Sequence, residues 1–259
     1  MGNFNAGHTW LDDVDNLFMA AGLGLIPGWE VIRLFGMNAA VVTGNQEMWP
    51  PGTARVLPTA AGVVSVVSDD AADDGSPAGL GAWTVQVRGL DENYERITEI
   101  VTLNGISAVT TTAEFLRVTE LYVITAGTDE TNAGNISASI GGDLQQYIEL
   151  GEGRNHSTHW TVPANKTLVV TQFKLGVGRM SGSTDLHILS QIKPFIPDSA
   201  WQTVDDAYLF NGGITDERDY PFIIPEKYEI RQQIITDTST QAFSVWSGYL
   251  IQDDAWRSK

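Results

Sequence analysis

The chain has 259 residues, 42% of them hydrophobic, and carries 32 Asp and Glu against 15 Lys and Arg, a formal net charge of −17. That acidity argues against nucleic-acid binding, which needs clustered cations, and against docking on anionic lipid. With no cysteine there is no disulfide framework, thiolate metal site or cysteine nucleophile, and no apolar run is long enough for a bilayer-spanning helix.

In chain order, residues 1–50 read as a mostly irregular arm. The start lacks the basic and apolar regions of a secretory signal, and Ala6 breaks the myristoylation pattern, so the sequence predicts a soluble protein made inside a cell. A short helix is expected over 17–26, weakened by Gly22 and Gly24 and stopped by Pro27. Trp29, Val31, Ile32, Leu34 and Phe35 follow as a strand or an extended arm. So apolar a terminus needs a covering surface. Either it folds back as an edge strand, or it docks on a neighbouring subunit. In the second case Leu25, Ile26, Trp29, Val31, Leu34 and Phe35 form the partner-docking surface.

Residues 51–150 predict a β-sandwich. Short β-branched or alternating runs occur at 61–67, 83–87, 97–103, 110–112, 118–124 and 136–140. Gly- and Asp-rich turns separate them, including Asp69 to Gly75, Asn104-Gly105 and Gly141-Gly142. Regular short strands with such punctuation indicate an antiparallel sandwich. Residues 151–259 predict a second, jelly-roll-like sandwich with longer strands at 158–162, 168–177 and 186–192, then around Tyr228 to Ile234 and Phe243 to Leu250. In the last of these Phe243, Val245 and Tyr249 share one face and Trp246 and Leu250 the other, so both faces are expected to be covered. The fold class is all-β: two antiparallel sandwiches preceded by the arm.

No catalytic set, cofactor site or metal site emerges. His156 and His159 lie three apart in a loop entering a strand, with His8 and His187 elsewhere. A metal reading needs His187 or Asp185 as a third ligand, and surface histidines are the simpler expectation. Asp69, Asp70, Asp73 and Asp74 would supply oxygens for Ca²⁺, but the spacing is not that of an EF-hand loop, and a solvated turn is expected. The stretch Gly127 to Asn132 reads the same way, and Asp216 to Asp219 reads as another acidic turn. Trp10, Trp49, Trp160, Trp201 and Trp246 would line a sugar platform, although aromatic residues in strands more often pack the core. The nucleophile elbow, phosphate-binding loop and dinucleotide fingerprint are all missing, and the chain reads as no enzyme.

The wording from Trp49 onward is more informative. WPPG, then SVVSDDAADDG, GLDENY, VTLNG and finally GEGRNHSTHWTVPANKTLVVT run in that order through roughly residues 47–180. This resembles the β-sandwich virion structural proteins of marine and cyanobacterial tailed bacteriophages. The resemblance implies a non-enzymatic particle component, assembled in host cytoplasm and partnered by other virion proteins. The expected role is a capsid decoration or cement protein docking through its N-terminal arm. The alternatives are a tail, baseplate or fibre-adaptor protein, or a carbohydrate- or receptor-binding module of the virion, with a polysaccharide depolymerase as the enzymatic competitor. A homo-oligomer, with a trimer favoured, is expected from the habits of β-rich virion proteins. No nucleic-acid or membrane partner is expected.

Overall fold

The structure is a computed structural model that describes residues 19–178, 186–209, 212–237 and 239–253. Among the described residues sixteen strands form, and all their pairings are antiparallel. The β-branched runs produce them in the expected places: β3 (Gly62–Ser68), β4 (Ala82–Leu90), β5 (Arg96–Thr102), β6 (Val109–Phe115), β7 (Arg117–Ala126) and β8 (Ile136–Ile140). With β9 (Asp143–Ile148) these build two sheets, ordered β6-β3-β8-β9 and β5-β4-β7. Alternate residues such as Val64, Val66, Val85, Val87, Ile136 and Ala138 turn inward and meet between the sheets.

The other strands form a second sandwich, which the chain builds in two visits. Strand β1 (Trp29–Val41) pairs with β16 (Thr240–Gln252), and β2 (Gly44–Glu47) pairs with β15 (Glu229–Thr236). Further in, β11 (Lys166–Val177) pairs with β14 (Gly213–Ile224), and β12 (Leu186–Lys193) with β13 (Gln202–Leu209). The four pairs nest in sequence, as in a hairpin folded over on itself. The resulting sheets are β1-β16-β11-β14 and β10-β15-β12-β13, the latter starting at β10 (Trp160–Thr161) and also joined by β2. Eight nested strands in two sheets are the connectivity of a jelly roll. The whole β3–β9 sandwich is an insertion between β2 and the return strands.

This corrects the expected division of the chain. Residues 29–47 are not a separate arm but two strands of the C-terminal sandwich, and residues 151–259 do not close that sandwich alone. The physical reason is the edge of β16, whose backbone groups must pair with something. Trp29 lies opposite Ile251, Leu34 opposite Trp246, and Phe35 opposite Val245. Residues 1–18, with His8 and Trp10, lie outside the described residues. Of the short helix expected over 17–26, one turn is described, at 19–22. It ends in a Schellman motif: Gly24 takes φ +70°, its N–H bonds the carbonyl of Ala21, and that of Leu25 bonds Ala20.

Both faces of β16 are covered, as its pattern implies. Trp246 and Leu250 enter the jelly-roll core beside Leu34, Trp160, Leu168, Phe173 and Ile230. Tyr249 and Ile251 face the other way, under Ala21, Ile26 and Trp29. Strands β2, β9, β13 and β14 were not expected. Asp216 to Asp219, expected as an acidic turn, lie in β14 instead, with Asp216 opposite Phe173.

Candidate functional site

The expected docking residues do not gather on one surface. Leu25 is 56% exposed and Val31 40%, but Leu34 is only 6% exposed and lies in the core. Ile26 packs on Tyr249 and Ile251, and Trp29 meets the Tyr249 ring edge-to-face at 5.3 Å. Phe35 is half-buried against His156, ring centroids 4.8 Å apart. Strand alternation explains the split: neighbours along β1 point to opposite faces. Leu34 is therefore withdrawn as a docking residue.

Two further expectations are corrected by burial. His156 and His159 are buried rather than at the surface, and they do not converge with His187, which stacks on Tyr208 at 4.0 Å beside Asp206. Trp49, Trp160 and Trp246 are buried, so they form no sugar platform; Trp201 lies under the Arg231 guanidinium at 4.1 Å. The turn from Asp69 to Asp74 is not simply solvated. Asp73 is 0% exposed. Its Oδ1 accepts the N–H groups of Ala82 and Ala133, both at 2.7 Å. Its Oδ2 accepts the Gly134 N–H at 2.9 Å and the Ser68 hydroxyl at 2.6 Å. One carboxylate thus ties three loops together, and its oxygens are occupied by protein donors.

The most concentrated chemistry lies where the two sandwiches meet. Glu47, at the end of β2, is 2% exposed. It accepts from His159 Nε2 at 2.5 Å, Arg231 Nη1 at 2.5 Å and the Arg55 N–H at 2.9 Å. The Arg55 side chain is buried and donates from Nε to Gln145 of β9, and burial pushes its pKa down to about 10. Beside this cluster Arg117 of β7 donates from Nε to Glu229 of β15 at 2.7 Å and from Nη1 to the carbonyls of Pro58 and Leu116. The Thr161 hydroxyl donates to the other Glu229 oxygen at 2.5 Å. Both partners of the Arg117–Glu229 bridge are over nine-tenths buried, so the two sandwiches are held by a desolvated ion pair.

The seam titrates. Burial disfavours the charged form of His159 and holds its pKa below the ordinary histidine value, despite the Glu47 carboxylate that favours the cation. Burial shifts His156 the same way. For Glu47, burial alone would raise the pKa, but the bonds from His159, Arg55 and Arg231 outweigh it and hold the carboxyl below its usual range. All three groups bind protons less readily folded than unfolded. Stability is therefore full above the unfolded histidine value of 6.5 and falls as pH drops below it, with Glu47 adding a further loss below 4.5. Urea midpoints measured between pH 7.5 and 4 are expected to fall steadily across that window, and His159→Gln is expected to flatten the upper part of the fall.

Next to the seam a groove of about 510 Å³ separates β1 from the outer face of the β5-β4-β7 sheet. Its lining includes Arg33, Arg88, Arg96 and Arg154, with Glu30, Glu120 and Tyr122. Arg96 pairs with Glu30 at 2.7 Å, and Arg88 reaches Glu120 at 3.5 Å. Lys166 also reaches Glu30, at 3.0 Å. Burial would raise the pKa of the Glu30 carboxyl, but Arg96 and Lys166 together hold it below its usual range. Arg88 and Arg154 lie 5.0 and 5.1 Å from the Tyr122 ring centre. Sequence reading missed this groove, since its arginines are scattered along the chain.

No protein-family model matches the chain, and no curated protein matches it. Among solved structures, the infectious bursal disease virus VP2 subviral particle is 11% identical over 88% of this chain and 73% of that one, with a TM-score of 0.24. The structure of the Gx strain of that virus gives 10%, 86%, 72% and 0.25 in the same order. Vicilin from Capsicum annuum gives 10%, 92%, 79% and 0.15. At such TM-scores these likenesses carry no argument about fold or function.

Proposed function

We propose that the chain is a non-enzymatic structural protein of a tailed-bacteriophage virion, most specifically a decoration protein bound to the capsid. The observation that carries this reading is the jelly roll with a second sandwich inserted in it. Jelly rolls recur in viral capsid domains, and an inserted sandwich gives one chain both an anchoring body and an outward module. The resemblance of residues 47–180 to phage virion proteins supports the same reading and spans the inserted sandwich and the start of the return strands. The fold class is shared with lectins and cupins, but buried Trp49, Trp160 and Trp246 do not favour a glycan platform.

On this reading the anchor includes Met19, Leu23 and Leu25, which are 57%, 65% and 56% exposed around the helical turn. Burying one such side chain at an interface is worth about 1.5–3 kcal/mol. The double substitution Leu23→Glu/Leu25→Glu is expected to lower incorporation into particles by tenfold or more on the ~1.4 kcal/mol-per-decade scale, with an unchanged melting temperature. Co-sedimentation with purified particles measures it. Undiminished incorporation removes this anchor, and a few copies per particle in quantitative gels removes the decoration role in favour of a tail or fibre-adaptor position.

A further inference from the structure

Arg55 lies in the seam between the two sandwiches. Its own N–H bonds Glu47 at the end of β2, and its side chain donates from Nε to Gln145 of β9 at 3.2 Å. The residue is 8% exposed. Burial lowers its pKa only to about 10, so the guanidinium stays charged at neutral pH. Yet its Nη2 is buried with no hydrogen-bond partner. Among the described residues no carboxylate lies within ion-pair distance of this side chain: Glu229 pairs with Arg117, and Glu47 with Arg231 and His159.

The neighbouring acceptors are already committed. Glu47 Oε1 takes Arg231, and its Oε2 takes His159 and the Arg55 N–H. Glu229 Oε1 takes Arg117, and its Oε2 takes the Thr161 hydroxyl. The Gln145 amide spends its oxygen on Arg55 Nε and its nitrogen on the carbonyls of Val56 and Asp143. The charges do not balance either. Glu47 and Glu229 are two anions against the three cations Arg55, Arg117 and Arg231, and burial favours neutral His159. In a chain of net charge −17 the seam thus carries one surplus positive charge. It resides on the guanidinium that has neither an ion-pair partner nor an acceptor for Nη2.

We propose that Arg55 binds one small monovalent anion of the halide class, chloride in ordinary buffers, as a buried counter-ion of the seam. A water molecule would satisfy the N–H but leave the buried charge uncompensated. An anion answers both needs, through a charge-assisted hydrogen bond. Arg55, Glu47 and Gln145 are 8%, 2% and 0% exposed, an enclosure that suits a monatomic ion rather than an organic acid. The single surplus charge sets one ion per chain. Held there, the ion favours the folded state by mass action. The inference does not depend on the virion reading and is tested without particles.

The first test is thermal unfolding of the full-length protein as chloride replaces gluconate at constant ionic strength. Once chloride exceeds its dissociation constant, the unfolding equilibrium constant of the wild type is expected to fall tenfold for each tenfold rise in chloride. Arg55→Gln is expected to lose that dependence. Arg88→Gln removes the same charge from an exposed position and is expected to keep it. The second test needs no variant: crystals of the wild type soaked in bromide are expected to show an anomalous scattering peak within hydrogen-bond reach of Arg55 Nη2. If Arg55→Gln does not fold, the bromide peak decides alone. A chloride dependence equally strong in Arg55→Gln overturns the proposal, as does a bromide-soaked crystal with no peak at Arg55, water there included.

Discussion

Asp73→Ala is expected to cost about 4 kcal/mol of stability, because it strips acceptors from buried donors rather than removing one bond. The N–H groups of Ala82, Ala133 and Gly134 and the Ser68 hydroxyl all lose their partner. A buried donor left unpaired costs about 1–3 kcal/mol, offset in part where water enters the gap. Close packing restricts that relief: a Cβ on Gly81 would collide with Asp73 Oδ1 and with Ala133, so the loops have little room to shift. Asp73→Asn keeps one acceptor oxygen and is expected to lose roughly half as much. The contrast lies in the same turn. Asp70 and Asp74 are less buried, and each carboxylate accepts one hydrogen bond, from the Ala72 N–H and the Ser76 N–H respectively. Their alanine variants are expected to cost under about 1 kcal/mol. Equilibrium urea unfolding separates the cases. Equal small losses at all three positions would return the turn to a solvated hairpin.

That turn also shows what a sequence can carry. The run of acids was visible, but which one is buried depends on residues 60 positions away, and an Asp in a turn and an Asp at the hub of three loops read alike. Strand periodicity was legible wherever one face is buried, as in β3, β4, β8 and β11. It failed for β13 and β14, which are the outer strands of their sheets. Such strands tolerate charge, so the sequences TVDDAYL and GITDERDY lack the expected alternation. The jelly roll was legible as a long-stranded sandwich but not as a discontinuous one. Nothing local in Trp29 to Val41 points to a partner at the far end of the chain. The seam was invisible for the same reason: Glu47 and His159 are 112 residues apart, and Glu47 and Arg231 are 184 apart. The apolar character of the first strand was read correctly as a need for cover. What it could not reveal is that Leu34 is covered by the chain's own core while Val31, three residues earlier, stays 40% exposed.

Breaking the bridge between the sandwiches is expected to cost about as much as breaking the loop hub. Arg117→Met leaves Glu229 over nine-tenths buried with, among the described residues, only the Thr161 hydroxyl donating to it, a buried charge stripped of its hydrogen-bonded cation and expected to cost about 3–5 kcal/mol. The carbonyls of Pro58 and Leu116 lose their donor in the same step. Glu229→Gln is expected to cost less, because an amide oxygen still accepts from Arg117 and the Arg117 cation keeps its two carbonyl partners. Removing both charges in Arg117→Met/Glu229→Gln is expected to recover part of the loss of the first single variant, since a buried pair is dearer to break than to replace. The double-mutant cycle then gives a coupling of about 1–3 kcal/mol. Because Arg117 belongs to the inserted sandwich and Glu229 to the jelly roll, the location of the damage is as telling as its size. Hydrogen exchange is expected to quicken in β7, β10 and β15 together while the centres of both cores stay protected. If exchange quickens through one sandwich alone, the bridge serves that sandwich's own folding and does not couple the two. Full additivity in the cycle would mean that Arg117 acts through the Pro58 and Leu116 carbonyls, with the carboxylate a bystander.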